Sequence, residues 1–196
     1  MKKQILNLTV MLIISISCNL EKSKLTDIDG NEYKTKVFGK NTWMLENLRV
    51  IRDSNGNDIT FYYPNQDTSL AKTYGLLYDY ENACKVCPKG WHLPSNEEWT
   101  ELIKLYESEP VEIFKNNKFW NNTMSSNENG FLIIPSGYGN NGEFDNAFKQ
   151  RAIIWSKTKQ DTHFVWTYGL QKGVDTFRIV LQHPTYAFSV RCVKDK

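Results

Sequence analysis

The sequence predicts an α+β domain, with short helices set among small antiparallel sheets and long irregular loops. Two observations carry this. One strongly signalled helix opens after residue 95, and five strand-like stretches recur every ten residues or so between residues 131 and 193, with turn residues between them. Composition agrees. Aromatics make up 13% of the 196 residues and are spread along most of the chain, as in a globular domain with a sizeable core and unlike a disordered chain.

The helix is the clearest element. Ser95 and Glu98 form a capping box: the serine hydroxyl accepts from the Glu98 amide, and the Glu98 carboxylate reaches back to the Ser95 amide. Pro94 keeps the preceding turn from running into the helix. Trp99, Leu102, Ile103 and Tyr106 follow at helical spacing and form one buried stripe.

Earlier in the chain, residues 27–31 form a turn and 32–38 a strand, with Tyr33 and Val37 expected to face inward. Gly39, Lys40 and Asn41 turn the chain into a second strand at 42–45, giving a β-hairpin. The run Asp53-Ser54-Asn55-Gly56-Asn57 resembles part of a calcium loop but lacks the distal bidentate glutamate, so it is a turn. Residues 65–72 form a polar loop, and the apolar stretch 74–80 leads into a short helix at 79–84. The long, Asn-rich stretch 109–129 is partly irregular. Strands are expected at 131–135, 152–157, 163–169, 176–182 and 187–193. In the last of these Phe188, Val190 and Cys192 share the core face, which leaves Ser189 and Arg191 on the other. No internal repeat or low-complexity tract stands out.

Residues 1–17 have a basic start at Lys2 and Lys3 and an apolar run from 5 to 16, too short to span a bilayer comfortably, and read as a secretory signal. Ser15-Ile16-Ser17-Cys18 resembles the end of a bacterial lipoprotein signal, with Ser15 where leucine is more usual. This makes Cys18 the first mature residue and the lipidation site, followed by a polar tether to residue 26 and a domain over 27–196. The membrane, through the lipid, is the expected partner, with the outer membrane or cell surface as the location. The formal charge of +2 is carried by Lys2 and Lys3, so the remaining chain is balanced and lacks the electrostatic footprint of a nucleic-acid binder.

With Cys18 assigned to lipid, Cys84, Cys87 and Cys192 allow one bridge and one leftover thiol in an exported, oxidising compartment. Cys87 with Cys192 is the favoured pair and Cys84 with Cys192 the alternative. Cys84 and Cys87 have C-x-x-C spacing, but a second half-site for zinc and the βαβ context of a redox motif are both missing. No metal and no cofactor are expected.

Several stretches together resemble one family. Asp27-Ile28-Asp29-Gly30-Asn31-Glu32-Tyr33 and Trp43-Met44-Leu45-Glu46-Asn47-Leu48 resemble the opening of the Fibrobacter succinogenes major paralogous domain. Tyr74-Gly75-Leu76-Leu77-Tyr78 and Cys87-Pro88-Lys89-Gly90-Trp91-His92-Leu93-Pro94-Ser95, with Glu98-Trp99, resemble its centre. Pro135-Ser136-Gly137-Tyr138, Trp155-Ser156 and the ending 188–194 resemble its second half. The resemblance implies a fold like those of C-type lectins and formylglycine-generating enzymes, in exported or lipid-anchored proteins of Bacteroidota and their relatives. It also implies the Cys87–Cys192 pairing, from which Cys84 is an addition. It implies no common activity.

No catalytic residue is assigned. His92 lies in a turn and reads as a loop anchor, His163 and His183 lack a flanking nucleophile motif, and Glu97 with Glu98 complement a helix dipole. The sugar-binding motifs of C-type lectins are missing. A ligand surface for glycan or protein is sought instead in the glycine-rich loop, at Tyr138, Asn140, Asn141, Asp145 and Asn146, and at Trp166 and Tyr168, which alternate along a strand and could present both rings on one face. The plainer reading of these residues is hairpin turns and core rings. The expected function is a lipid-anchored envelope or surface binding and adhesion domain. The alternatives are an enzyme of formylglycine-generating-like fold, redox-active through Cys84 and Cys87, and a structural part of an envelope assembly.

Overall fold

The structure, a computed structural model, describes residues 24–109, 111–115, 117–120, 130–140, 143–144 and 147–196. The signal segment 1–17 and Cys18 lie outside these residues, as do Asn141, Asp145 and Asn146. The architecture is α+β. Strands β1 (Lys24–Thr26), β2 (Glu32–Phe38), β3 (Asn41–Met44), β4 (Trp91–His92) and β11 (Val193–Lys194) make one sheet in the order β1-β2-β3-β11-β4. A second sheet joins β7 (Arg151–Lys159), β8 (Val165–Gln171) and β9 (Arg178–Gln182). A small third one has the order β10-β5-β6, from Tyr186–Ala187, Gly139–Asn140 and Glu143–Phe144. The named strands pair antiparallel throughout.

The helices are short: α1 (Ala71–Tyr74), α2 (Tyr80–Ala83), α3 (Asn96–Lys104) and α4 (Asn117–Trp120). The expected capping box opens α3, with the Ser95 amide donating to Glu98 Oε2 at 2.9 Å and the Glu98 amide to Ser95 Oγ at 3.3 Å. Trp99 and Leu102 are buried beneath it. Asp79 caps α2 by accepting from the Asn82 amide.

Four expectations need correction. Residues 24–26, read as the end of a tether, form β1, because Leu25 pairs with Tyr33 and packs on the core. The polar loop 65–72 holds two 3-10 turns and the start of α1. Residues 131–135 form no strand beyond an isolated bridge between Lys115 and Ile133, although Phe131 and Ile133 are buried. Val37 is 62% exposed, whereas Phe38 is buried. Strand alternation explains this: Tyr33, Thr35 and Val37 share a face, but the core beneath it ends before Val37, and Phe38 enters a second core on the opposite face.

Two cores lie on the two faces of the sheets, and neighbouring strand residues are divided between them. Met44, Trp155 and Cys192 belong to one core, and the adjacent Trp43, Ile154 and Val193 to the other. In the second core Trp99 stacks on Tyr168 with centroids 5.0 Å apart and meets Trp43 edge-on at 4.9 Å.

The segment 188–192 runs between these layers and overturns the expectation of one terminal strand with an outer face. Phe188 exchanges backbone hydrogen bonds with Tyr78, Ser189 with Ile153 and Trp155, and the carbonyls of Val190 and Cys192 accept from Leu48 and Met44. Its partner changes every residue or two, so only β10 and β11 at its flanks are regular strand. Both of its faces are covered, and Ser189 and Arg191 are as buried as Val190 and Cys192.

Cys87 and Cys192 form the disulfide across 105 residues, with Cα atoms 5.8 Å apart, which resolves the pairing. The free cysteine among the described residues is Cys84. Replacing Cys87 and Cys192 together by serine is expected to cost about 4 kcal/mol, mainly through the freed unfolded chain. Urea denaturation measures it, and a loss below about 1 kcal/mol would contradict the assignment. The corrected register predicts that Val37→Ser changes stability by less than about 0.5 kcal/mol. Phe38→Ala should cost roughly 3–5 kcal/mol in the same assay, and equal costs would restore the inward Val37.

Candidate binding cleft

Trp166 and Tyr168 do not form an aromatic platform, and for Tyr168 the plainer reading as a core ring holds. Tyr168 is 2% exposed and stacked on Trp99, because its face of β8 lies on the second core. Trp166 is half-buried and paired across from Leu181 on β9. Tyr138 lies elsewhere, half-buried, with its ring edge-on to Tyr186 at 6.0 Å and to Phe188 at 5.8 Å. Asn140 pairs with Tyr186 and Glu143 along its backbone. The structure therefore splits the residues that sequence grouping put together: Tyr138 belongs beside β10 and Tyr168 to the core.

The histidines serve as anchors. His92 Nδ1 lies 2.6 Å from Asp195 Oδ1, and its Nε2 lies 3.0 Å from both oxygens of Glu98. Glu98 thus holds the helix start and, through His92, the end of the chain. His163 and His183 bond neighbouring threonine hydroxyls at the surface.

A cleft of about 620 Å³ opens where α2 meets the chain ahead of β10. Its walls include Tyr62, Tyr80, Asp79, Glu81, Lys85 and Lys159, with Pro184 and Thr185 opposite α2. Each wall is tied to the frame. Tyr62 and Leu77 exchange both backbone hydrogen bonds, the Tyr80 amide donates to Pro184 O at 3.0 Å, and the Tyr80 hydroxyl donates to Lys157 O at 2.7 Å. Lys85 pairs with Glu81 at 2.6 Å, and the Lys159 ammonium sits 5.2 Å from the Tyr80 ring centroid. The hydrogen bond and charge of that pair lower the Glu81 pKa and raise that of Lys85, so both are charged at neutral pH. Cys84 also lines the cleft. The residue is exposed, but packing of its thiol pushes the pKa up, against the Tyr80 hydrogen bond and the nearby lysines. Among the described residues no group of three His, Cys, Asp or Glu side chains is arranged to hold a metal. The cleft escaped sequence reasoning because the stretch 79–85 meets Tyr62, Lys159, Pro184 and Thr185 only in the folded chain.

A model of the Fibrobacter succinogenes major domain matches residues 37–194. The chain belongs to this family. No curated protein and no solved structure matches it. In this Fibrobacter succinogenes major domain the signature stretches build the frame, with Asn47 and Arg191 at its centre. Arg191 is fully buried. Its Nε donates to Asn47 Oδ1 at 3.0 Å, one terminal nitrogen donates to the Leu132 carbonyl, and the guanidinium lies 4.7 Å from the Phe131 centroid. Among the described residues the other terminal nitrogen, Nη1, has no hydrogen-bond partner. Burial lowers the Arg191 pKa to about 9, partly opposed by Glu46, and the side chain remains charged at neutral pH.

Asn47 Nδ2 lies within bonding distance of Tyr74 O at 2.9 Å, Ser136 Oγ at 2.9 Å and Ser189 Oγ at 3.2 Å. Gly75 is required at this junction. Its φ is +78°, and a Cβ there would stand 2.6 Å from Asn47 Cβ. Two turns share a pattern that the sequence reading did not register as a repeat. Asp27 and Asp53 each begin Asp-x-Asp/Asn-Gly-Asn, and each accepts from the amides two and four residues later. Asp29 of the first turn bonds Arg52 beside the second, at 2.5 Å. Their oxygens are used by the turns themselves, which agrees with turn chemistry rather than calcium binding.

Asn47→Ala should destabilise the fold by roughly 3 kcal/mol or more, because it strips a buried cation of an acceptor. Arg191→Met in the Asn47→Ala background should cost far less than it does alone. Additive losses in a denaturant double-mutant cycle would refute the coupling.

Proposed function

We propose that this protein is a lipid-anchored binding domain of the cell envelope, attached through Cys18 and presenting the cleft beside α2 to its ligand. The observation that carries the reading is the cleft, an open concavity held by a rigid frame. The use of the reactive side chains supports binding over turnover: Cys87 and Cys192 are tied in a buried disulfide, and His92 is held between Glu98 and Asp195. The disulfide also suits an exported chain, and the apolar segment before Cys18 supplies the export signal. A fold akin to C-type lectins, the outer membrane or cell surface as location, and adhesion as the role complete the proposal.

The test is fractionation of the native host. The full chain is expected in the membrane pellet, and a Cys18→Ala form in the soluble exported fraction. Equal membrane retention of both would refute the lipid anchor. Pull-down from the cell envelope with folded full chain is expected to recover a specific ligand, and recovery unchanged by Tyr62→Ala would exclude the cleft.

A further inference from the structure

We propose that the cleft takes a neutral polysaccharide chain, with sugar faces seated against Tyr62 and Pro184 and sugar hydroxyls held by Asp79, Glu81, Lys85 and Lys159. This rests on the binding-domain reading above and names its ligand class.

Charge comes first. Two carboxylates and two ammonium groups line the walls, and they balance. Glu81 and Lys85 are already paired at 2.6 Å, and Lys159 covers the Tyr80 ring. A cation or an anion entering would meet a site that is already compensated and would have to displace one of these contacts. A hydroxyl both donates and accepts, so it can bridge a carboxylate and an ammonium without breaking their compensation. The carboxylate of Asp79 is held in place by the Asn82 amide at 2.8 Å and by its Nδ2 at 3.0 Å, and is therefore pre-set at the start of α2.

Shape and apolar surface come second. Tyr62 and Pro184 bring aromatic and aliphatic surface to the same walls, which suits the C–H faces of sugar rings. The volume of about 620 Å³ accommodates a few sugar rings in an open groove, so an extended chain could pass through. An extended peptide is a poorer occupant. It would seek unpaired backbone to extend a sheet, yet Tyr62 and Leu77 spend their amides and carbonyls on each other.

Cys84 supplies a readout that needs no tag, because it lies in the cleft and is free. The full chain is incubated with neutral linear hexasaccharides of glucose, mannose and xylose, and with uronic-acid hexasaccharides of matched length. Iodoacetamide labelling of Cys84 is then followed by peptide mapping, alongside direct binding. The expected result is that a neutral hexasaccharide binds and slows Cys84 labelling at least about fivefold at saturation, whereas the uronates do neither. Tyr62→Ala and Asp79→Asn should each weaken binding about tenfold or more, equivalent to about 1.4 kcal/mol. Asparagine keeps the helix cap, so Asp79→Asn isolates the charge from folding. Glu81→Gln and Lys159→Ala provide further surface variants should Tyr62→Ala unfold.

Preference for the uronates, binding that leaves Cys84 labelling unchanged, or no binding by any neutral hexasaccharide would each overturn the proposal. Recovery of an envelope protein through the cleft with a blank sugar panel would overturn the ligand class and leave the binding-domain reading standing. Failure of both would remove the reading as well.

Discussion

A guanidinium buried away from water needs acceptors from its surroundings, and Arg191 finds them in neutral groups: the Asn47 side chain, the Leu132 carbonyl and the ring face of Phe131. That demand reaches across the chain. Asn47 can accept from Arg191 only if its amide nitrogen is turned toward Tyr74 O, Ser136 and Ser189. Those groups come close only because Gly75 has no side chain. One residue near the C-terminus therefore sets the positions of three segments distant in sequence. A charge in such a place adds little net stability over an apolar residue, but removing one of its acceptors is costly. The arrangement specifies which segments meet more than how tightly they hold.

The segment 188–192 carries Arg191 between two cores and exchanges backbone hydrogen bonds with a different neighbour every residue or two. The Cys87–Cys192 disulfide and the His92 link to Asp195 secure its exit beside α3. The cleft sits at the margin of this frame. Its walls borrow rigidity from it through the Tyr80 bonds to Pro184 and Lys157, while the side chains facing the opening come from outside the signature stretches. Scaffold and proposed ligand surface are thus separate sets of residues. That separation explains why motifs that identify the family are silent about the proposed ligand.

Legibility in the sequence followed the range of the interactions. The capping box at Ser95 and Glu98, the short helix beginning near Asp79 and the β2–β3 hairpin depend on neighbours a few residues away, and all were readable. Val37 and Arg191 were misread for a shared reason. Alternation tells which residues share a face, but not that both faces are covered or where a core ends. The cleft was not legible at all, because Tyr62, Asp79, Lys159 and Pro184 meet only after the chain has folded.

The sequence by itself determined the family, the α+β class and the helix boundary at Ser95. Each rests on a local pattern that no packing can change. Tertiary structure alone decided that Arg191 is buried, that Cys87 rather than Cys84 pairs with Cys192, and that a neutral cleft opens beside α2. These depend on which distant surfaces come into contact, and that is set by the two-sided burial of the sheets rather than by the spacing of residues along the chain.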